Sequence, residues 1–368
     1  MIGLFSFLYS VFVFLVILGI AVLAHEFGHY LMARNLGIRI KEFFVGVGGR
    51  KIFSRKKDDT EYGIKTVLLG GYIKLAGDSL DEYTGKPDEY LAQPPGKRFL
   101  VIFFGPLFNY ILGILCFWMI FFVGYPTVTT KIGGVIDGFG AKDVGLMAGD
   151  RIISVDGKKV RFFEDLQRIV QFKKEPSVVK LSVLRGDKEF GVSVPIKEKK
   201  YKDTFGQRRS IGLLGIFPGD EVVIMRYGFL ESFKHSIERA WNLTVLTYKS
   251  VFYMVMGKLS IKDSAAGPLG LYFITAKIAV EGVMPLINLF AVLSINLCIC
   301  NLLPLPVLDG GHIMFLVLEK IRGKALKKKT EEFINKAGLA FIIFLFVIFT
   351  YNDVMRIYGD KIYRFLLR

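Results

Sequence analysis

Apolar and polar positions alternate along this chain on a coarse scale before they do so on a fine one. No charged side chain occurs from Met1 to Ala24, from Phe99 to Thr130, from Gly282 to Leu308, or from Ala337 to Asn352. A helix needs roughly 20 apolar residues, about 17–25, to cross the hydrocarbon core of a bilayer. The first three stretches have that length. The fourth reaches it when flanking residues snorkel or the bilayer thins. The pattern predicts an α-helical polytopic membrane protein with about four transmembrane helices.

Between the apolar stretches the period shortens. Lys41–Phe53 and Tyr62–Leu75 alternate apolar and polar residues on either side of the charged turn Ser54–Glu61, and glycines mark their corners. That is the signature of a small β-sheet. A second polar region, about Lys131–Arg226, contains a strand at Arg151–Val155, a hairpin turn at Asp156-Gly157, a helix over Phe163–Phe172, and strands Val178–Leu184 and Phe190–Val194 around Arg185-Gly186-Asp187. This is an inserted α+β domain. Phe229, Phe233, Ile237, Trp241, Val245, Tyr248 and Phe252 then recur at three- and four-residue steps, which predicts an amphipathic helix to Met256. Lying at the membrane interface and packing on the membrane domain are both open to it. The expected division is 1–127 (first span, β-region about 41–75, second span), 128–200 (α+β domain), 201–281 (linker and amphipathic helix) and 282–368 (third and fourth spans).

Charge orients these pieces. Lys and Arg number 49 against 33 Asp and Glu, a net charge of +16. Seven of the basic residues fall in the short loop Glu319–Lys336, and short basic loops stay in the cytoplasm. Four spans then make Arg34–Arg98, with its small β-sheet, cytoplasmic as well. Both termini and the Lys131–Arg226 region face outward. No platform of stacking aromatics accompanies the basic clusters, so no nucleic acid partner is expected, and the charge suits anionic lipid. No Lys or Arg precedes Arg34, so the first stretch reads as a retained helix and not a cleaved signal peptide. The three cysteines lie inside apolar stretches and read as buried thiols, without a disulfide framework. At 52% hydrophobic residues, disordered and collagen-like classes are excluded.

Candidate chemistry sits at the edges of the spans. His25-Glu26-Phe27-Gly28-His29 holds two of the four histidines in the chain. Residues four apart share a helix face, so both imidazoles can bind one metal with Glu26 beside it. Zinc prefers such N/O donors, and a catalytic site needs a third protein ligand and an open position. Asp309, at the end of Asn301-Leu302-Leu303-Pro304-Leu305-Pro306-Val307-Leu308-Asp309-Gly310-Gly311-His312, is the candidate third ligand, although Asp before Gly-Gly is also common turn chemistry. Pro304 and Pro306 break the helix there. His312 suits a polar helix end. In Gly105-Pro106-Leu107-Phe108-Asn109, the Asn side chain has two open readings: an interhelical hydrogen bond, or a donor to substrate or a developing oxyanion.

Taken together, H-E-x-x-H in the first span, G-P-x-x-N in the second and N-x-x-P-x-P-x-L-D-G-G in the third resemble the site-2 protease family of intramembrane zinc metalloproteases. The order of elements in the inserted domain is similar to a circularly permuted bacterial PDZ domain, and the resemblance is to the bacterial branch that carries one there. It implies Zn2+ held by His25, His29 and Asp309, Glu26 as catalytic carboxylate, and Asn109, Asn301, Pro304 and Pro306 along the substrate site. A membrane-dipping β-hairpin of the family resembles Phe43–Phe53, which suggests that Val45, Gly46, Val47 and Gly48 clamp substrate main chain. The implied function is cleavage of transmembrane segments of membrane-anchored proteins, such as anti-sigma factors or remnant signal peptides, in a bacterial inner membrane. The PDZ-like domain would filter substrates by their ectodomains or bind a peptide. Some family members carry two PDZ domains, whereas this chain has room for one. Two other classes compete: a membrane scaffold that recruits partners through the PDZ-like domain around a structural metal, and a zinc transporter. The scaffold has no need of Glu26, and the transporter lacks the internal repeat expected of it.

Overall fold

The structure is a computed structural model that describes residues 2–67, 70–171, 173, 175–202, 208–260, 266–324 and 327–366. The chain divides into two units, 1–120 with 233–251 and 261–368, and 121–232 with 252–260.

In the first unit, four helices are long and apolar enough to cross a membrane: Phe7–Asn35, Pro95–Val123, Val283–Asn301 and Lys329–Ile357. They belong to α1 (Ile2–Asn35), α2 (Pro95–Val123, whose last residues enter the second unit), and two helices near the C-terminus. The fourth span is longer than its uncharged core suggests, because polar residues at both ends continue the helix. Phe12, Ile20, Phe344 and Phe346 are all at least 49% exposed, an arrangement that suits lipid and not water.

Four strands follow α1: β1 (Ile40–Val45), β2 (Lys51–Lys57), β3 (Thr60–Lys65) and β4 (Gly71–Leu75), in the order β2-β3-β1-β4. The hairpin expected over Phe43–Phe53 is not formed. β3 lies between β1 and β2, parallel to β1 with Phe43 opposite Tyr62, and it is β2 and β3 that make the hairpin. The connection 46–50, with Gly46, Gly48 and Gly49 at φ of 88°, 64° and 70°, folds against 67–70 and leaves the β1 edge to β3. Gly46 and Val47 then donate their N–H groups to Gly70 and Val67 at 2.6 and 2.8 Å. The sheet packs on the helices through Ile38, Ile40 and Leu75 against Tyr30, Ala33 and Val101.

In the second unit, β5 (Tyr125–Val128), β6 (Ile132–Val135), α3 (Gly140–Asp143), β7 (Arg151–Val155), β8 (Lys158–Lys159), α4 (Phe163–Val170), β9 (Ser177–Arg185), β10 (Lys188–Lys202), β11 (Arg208–Leu213), β12 (Ile216–Pro218) and β13 (Val222–Met225) follow one another. The main sheet runs β11-β10-β9-β7-β8, while β12 pairs with β6 and β13 with β5. Asp156 and Gly157, with φ of 48° and 78°, make the β7–β8 turn as expected. Ile152, Val155, Leu166, Val179, Leu181, Val183 and Val194 form one core. Residues 208–225, expected in a linker, are strands instead, because β5 and β6 at one end of the unit need partners from the other. Residues 203–207 and 261–265 of that linker, and Phe172 of the expected helix, lie outside the described residues.

Helix α5 (Phe229–Val255) crosses the boundary between the units. Within 233–251 it buries small residues, Ser236 and Ala240, and its hydroxyls reach the membrane helices: Thr244 meets Tyr110 at 3.0 Å and Thr247 donates to Asn296 at 2.8 Å. Ile237, Trp241 and Tyr248 face out. Packing on the membrane helices is thus the arrangement adopted. The chain then forms α6 (Pro268–Ala279), α7 (Val283–Asn301), α8 (Asp309–Arg322) and α9 (Lys328–Leu366). The carboxylate of Asp353 on α9, 1% exposed, accepts the N–H of Gly270 at 2.7 Å and so closes the first turn of α6.

Candidate metal centre

Three side chains from two helices meet at one point inside the first unit. His25 and His29, one helical turn apart on α1, place their Nε2 atoms 3.1 Å from each other. Asp309, the first residue of α8, brings Oδ2 to 3.0 Å from His25 Nε2 and Oδ1 to 3.6 Å from His29 Nε2. The loop 302–308 lets it do so: Pro304 and Pro306 end α7, and Gly310 and Gly311 pack so tightly that added β-carbons would come within 2.2 and 2.3 Å of the Leu303 and Leu305 carbonyls. Val307, a β-branched residue at φ 76°, is strained backbone within this loop.

The donor set fits zinc. His29 Nδ1 donates to the Val101 carbonyl at 2.8 Å, which fixes the tautomer and leaves Nε2 as a lone pair. Asn301 holds its amide nitrogen 3.3 Å from His25 Nδ1, which makes it the partner of that ring on the side away from the cluster. Asp309 Oδ2 is buried without a hydrogen-bond donor. Three Lewis bases therefore converge, all within 4.8 Å of one another. Nitrogens bound about 2.0–2.1 Å from one tetrahedral ion lie roughly 3.3 Å apart, close to the separation of the two imidazoles.

A cavity of about 420 Å³ opens on these groups, lined by Glu26, Ile73, Leu75 and Tyr90 among others. Glu26 and Ile73 face the cavity together. Among the described residues β4 is the edge strand of its sheet, and Ile73 and Leu75 of it line the cavity. Burial above all, then the nearby Asp309 and Glu319 carboxylates acting against Arg98, raises the pKa of the Tyr90 phenol and keeps it protonated.

Among the expected site residues, His25, Glu26, His29, Asn301 and Asp309 line this cavity together, and His312 joins them. Pro304 and Pro306 shape the loop without lining it. Pro306 packs under Gly338 of α9, where a β-carbon would stand 2.3 Å away. Asn109 is fully buried, four residues from Gly105, and neither amide atom has a hydrogen-bond partner among the described residues. Val45, Gly46, Val47 and Gly48 lie apart from the cavity, and the N–H groups of Gly46 and Val47 are already used. The four residues expected to clamp substrate main chain therefore lie away from the metal cluster, while Ile73 and Leu75 of the edge strand β4 line the cavity. Ile73, Leu75, Tyr90 and the Val101 carbonyl escape sequence reasoning. Only the glycines before β4 hinted at the first two.

Comparison with known proteins gives the family. The model of peptidase family M50 matches residues 13–345. A Rickettsia conorii protein named "Putative zinc metalloprotease RC0203" is 32% identical over 95% of this chain and 99% of its own. The Bacillus subtilis "Regulator of sigma-W protease RasP" is 28% identical over 96% of this chain and 100% of its own. A PDZ domain of an SdrC-like protein from Listeria monocytogenes aligns with 26% of this chain and 90% of its own at 26% identity, with a TM-score of 0.21. The chain belongs to peptidase family M50, the site-2 proteases, and is a zinc metalloprotease with membrane-spanning helices.

Proposed function

We propose that this enzyme is an intramembrane endopeptidase that cuts transmembrane segments of membrane-anchored proteins, with anti-sigma factors and remnant signal peptides as its substrate classes. The observation that carries the reading is the meeting of His25, His29 and Asp309 beside Glu26, on helices of membrane length. Ionisable groups are costly at membrane depth and mark function there. Similarity to a regulator of sigma-W protease favours anti-sigma factors.

In this reading His25, His29 and Asp309 hold the zinc ion. The metal, when bound, supplies an acidified water and polarises the scissile carbonyl. Glu26, in the cavity wall beside His25 and His29, takes the proton of the attacking water and returns it to the leaving amine. A helical substrate must unwind before attack, because its carbonyls are engaged along its own axis. The outer edge of β4 offers main-chain partners to the unwound segment, a strand addition that orients the scissile bond over Glu26. The unpartnered amide of Asn109 serves as a donor to the reacting substrate. Asn301 orients His25, and Pro304 and Pro306 keep loop 302–308 in the shape that aims Asp309.

The division into a membrane domain (1–127 and 282–368), a PDZ-like domain and a connecting helix goes with this function. The family resemblance favours a bacterial inner membrane, and the loop charges favour both termini and the PDZ-like domain outside with the active site toward the cytoplasm. The PDZ-like domain filters substrates by their ectodomains. Deleting 131–195 should broaden cleavage, and unaltered substrate choice after that deletion rejects the filter.

A further inference from the structure

Arg98 stands in the first turn of α2 and is 8% exposed. One guanidinium nitrogen donates to Glu319 Oε1 at 2.5 Å, and Nε donates to the Gln93 carbonyl at 3.1 Å. Glu319 lies on α8, ten residues beyond Asp309, or about 15 Å along the helix. The pair therefore ties down the far end of the helix whose near end supplies the third ligand. That near end is fixed separately, by Gly310 and Gly311 against the carbonyls of loop 302–308. A helix fixed at two points has one direction, and its first side chain has one aim.

The same face of α2 also sets His29. Arg98, Val101 and Gly105 are spaced three and four residues apart, so they fall on one face. Val101 accepts the His29 Nδ1 proton, and Gly105 lies under the His29 ring. Tyr90, lining the cavity, is within electrostatic reach of Arg98, Asp309 and Glu319 together, so the ion pair and the ligand share one small region. Arg98 is buried and Glu319 half-buried, and desolvating the guanidinium offsets part of the attraction of such a pair.

We propose that Arg98 and Glu319 form a positioning pair for the metal centre, which makes one face of α2 the template that sets His29 directly and Asp309 through the length of α8. The inference rests on the assignment of His25, His29 and Asp309 as the zinc ligands. It places Arg98 and Glu319 outside the reaction itself: neither touches substrate or metal, and both act through Asp309.

The test uses the full chain in detergent, with zinc affinity measured by competition against a chelator and amide hydrogen exchange across α8 measured in the metal-free protein. Glu319→Gln keeps the shape and removes the charge. Arg98→Lys keeps the charge and cannot make both contacts. Each should weaken zinc binding about tenfold, at the lower end of the effect of outer-shell partners. Each should speed exchange along α8 without metal and lower kcat while KM holds. Glu221→Gln, which breaks the Arg151–Glu221 pair of the second unit, controls for loss of an ion pair as such and should leave zinc affinity unchanged. Either folded α2–α8 variant with wild-type zinc affinity and unaltered α8 exchange overturns the proposal, even if its melting temperature falls. Should one variant fail to fold, the other decides. His25→Ala separates the two levels: if it binds zinc as wild type does, the ligand assignment fails and not the positioning pair.

Discussion

Gly105 lies directly under the His29 imidazole, so close that a β-carbon at position 105 would stand 2.3 Å from Nε2. The fit is reciprocal, because a β-carbon on Gly28 would stand 2.2 Å from the Phe104 carbonyl. The glycines of H-E-F-G-H and G-P-L-F-N are thus two halves of one close helix contact, and the contact decides where a metal ligand points. Gly105→Ala is predicted to cost 10–100-fold in zinc affinity, as outer-shell changes do. Zinc content after dialysis against a graded chelator measures it; full retention of metal would show that His29 has room to move.

Glu26→Gln should lower turnover by about 10²–10⁴-fold, the range for a lost general base, while zinc stays bound. Asp309→Asn should lose the metal instead, because the amide offers a weaker donor. Zinc content and turnover read together distinguish the two variants.

The free edge of β4 predicts a pattern of substrate contact. A photo-crosslinking residue at Ile73 should capture a substrate transmembrane peptide, and the same residue at Val47 should not. Capture at Val47 alone would restore the clamp to the 45–48 loop.

Acid should loosen the second unit through Asp150. Its carboxylate, fully buried, takes both oxygens to Arg185 at 2.6 and 2.7 Å and accepts the Met147 N–H at 3.0 Å. The Arg185 hydrogen bonds, above all, hold its pKa below the ordinary carboxylate value. The folded state then binds the proton more weakly than the unfolded one. Its stabilisation is complete above the unfolded value of about 3.9 and is lost as pH falls below that through the folded value. Amide exchange in β7 and β9 should rise on acidification in wild type, and Asp150→Asn should show roughly 1–3 kcal/mol of destabilisation already at neutral pH.

The three donors that converge in the structure were legible in the sequence. Two imidazoles and a carboxylate suit a metal, a helix puts residues four apart on one face, and proline and glycine mark where the chain breaks before Asp309. The four spans were legible because lipid demands uninterrupted apolar length. What stayed hidden depends on partners distant along the chain. The insertion of β3 between β1 and β2 is a pairing choice that alternation cannot reveal, since every order of the four strands alternates alike. The Val101 carbonyl carries no residue-type signature. Arg98 and Glu319 are 221 residues apart, and two charges near helix ends look like surface residues until the fold brings them together.

Cleavage of a tagged model transmembrane substrate by the purified protein in detergent tests the central claim most directly, with wild type beside Glu26→Gln, each with and without a zinc chelator. The account predicts cuts within the transmembrane segment by wild type alone, abolished by the chelator and restored by zinc. Cleavage that persists in Glu26→Gln or survives complete removal of zinc would contradict it.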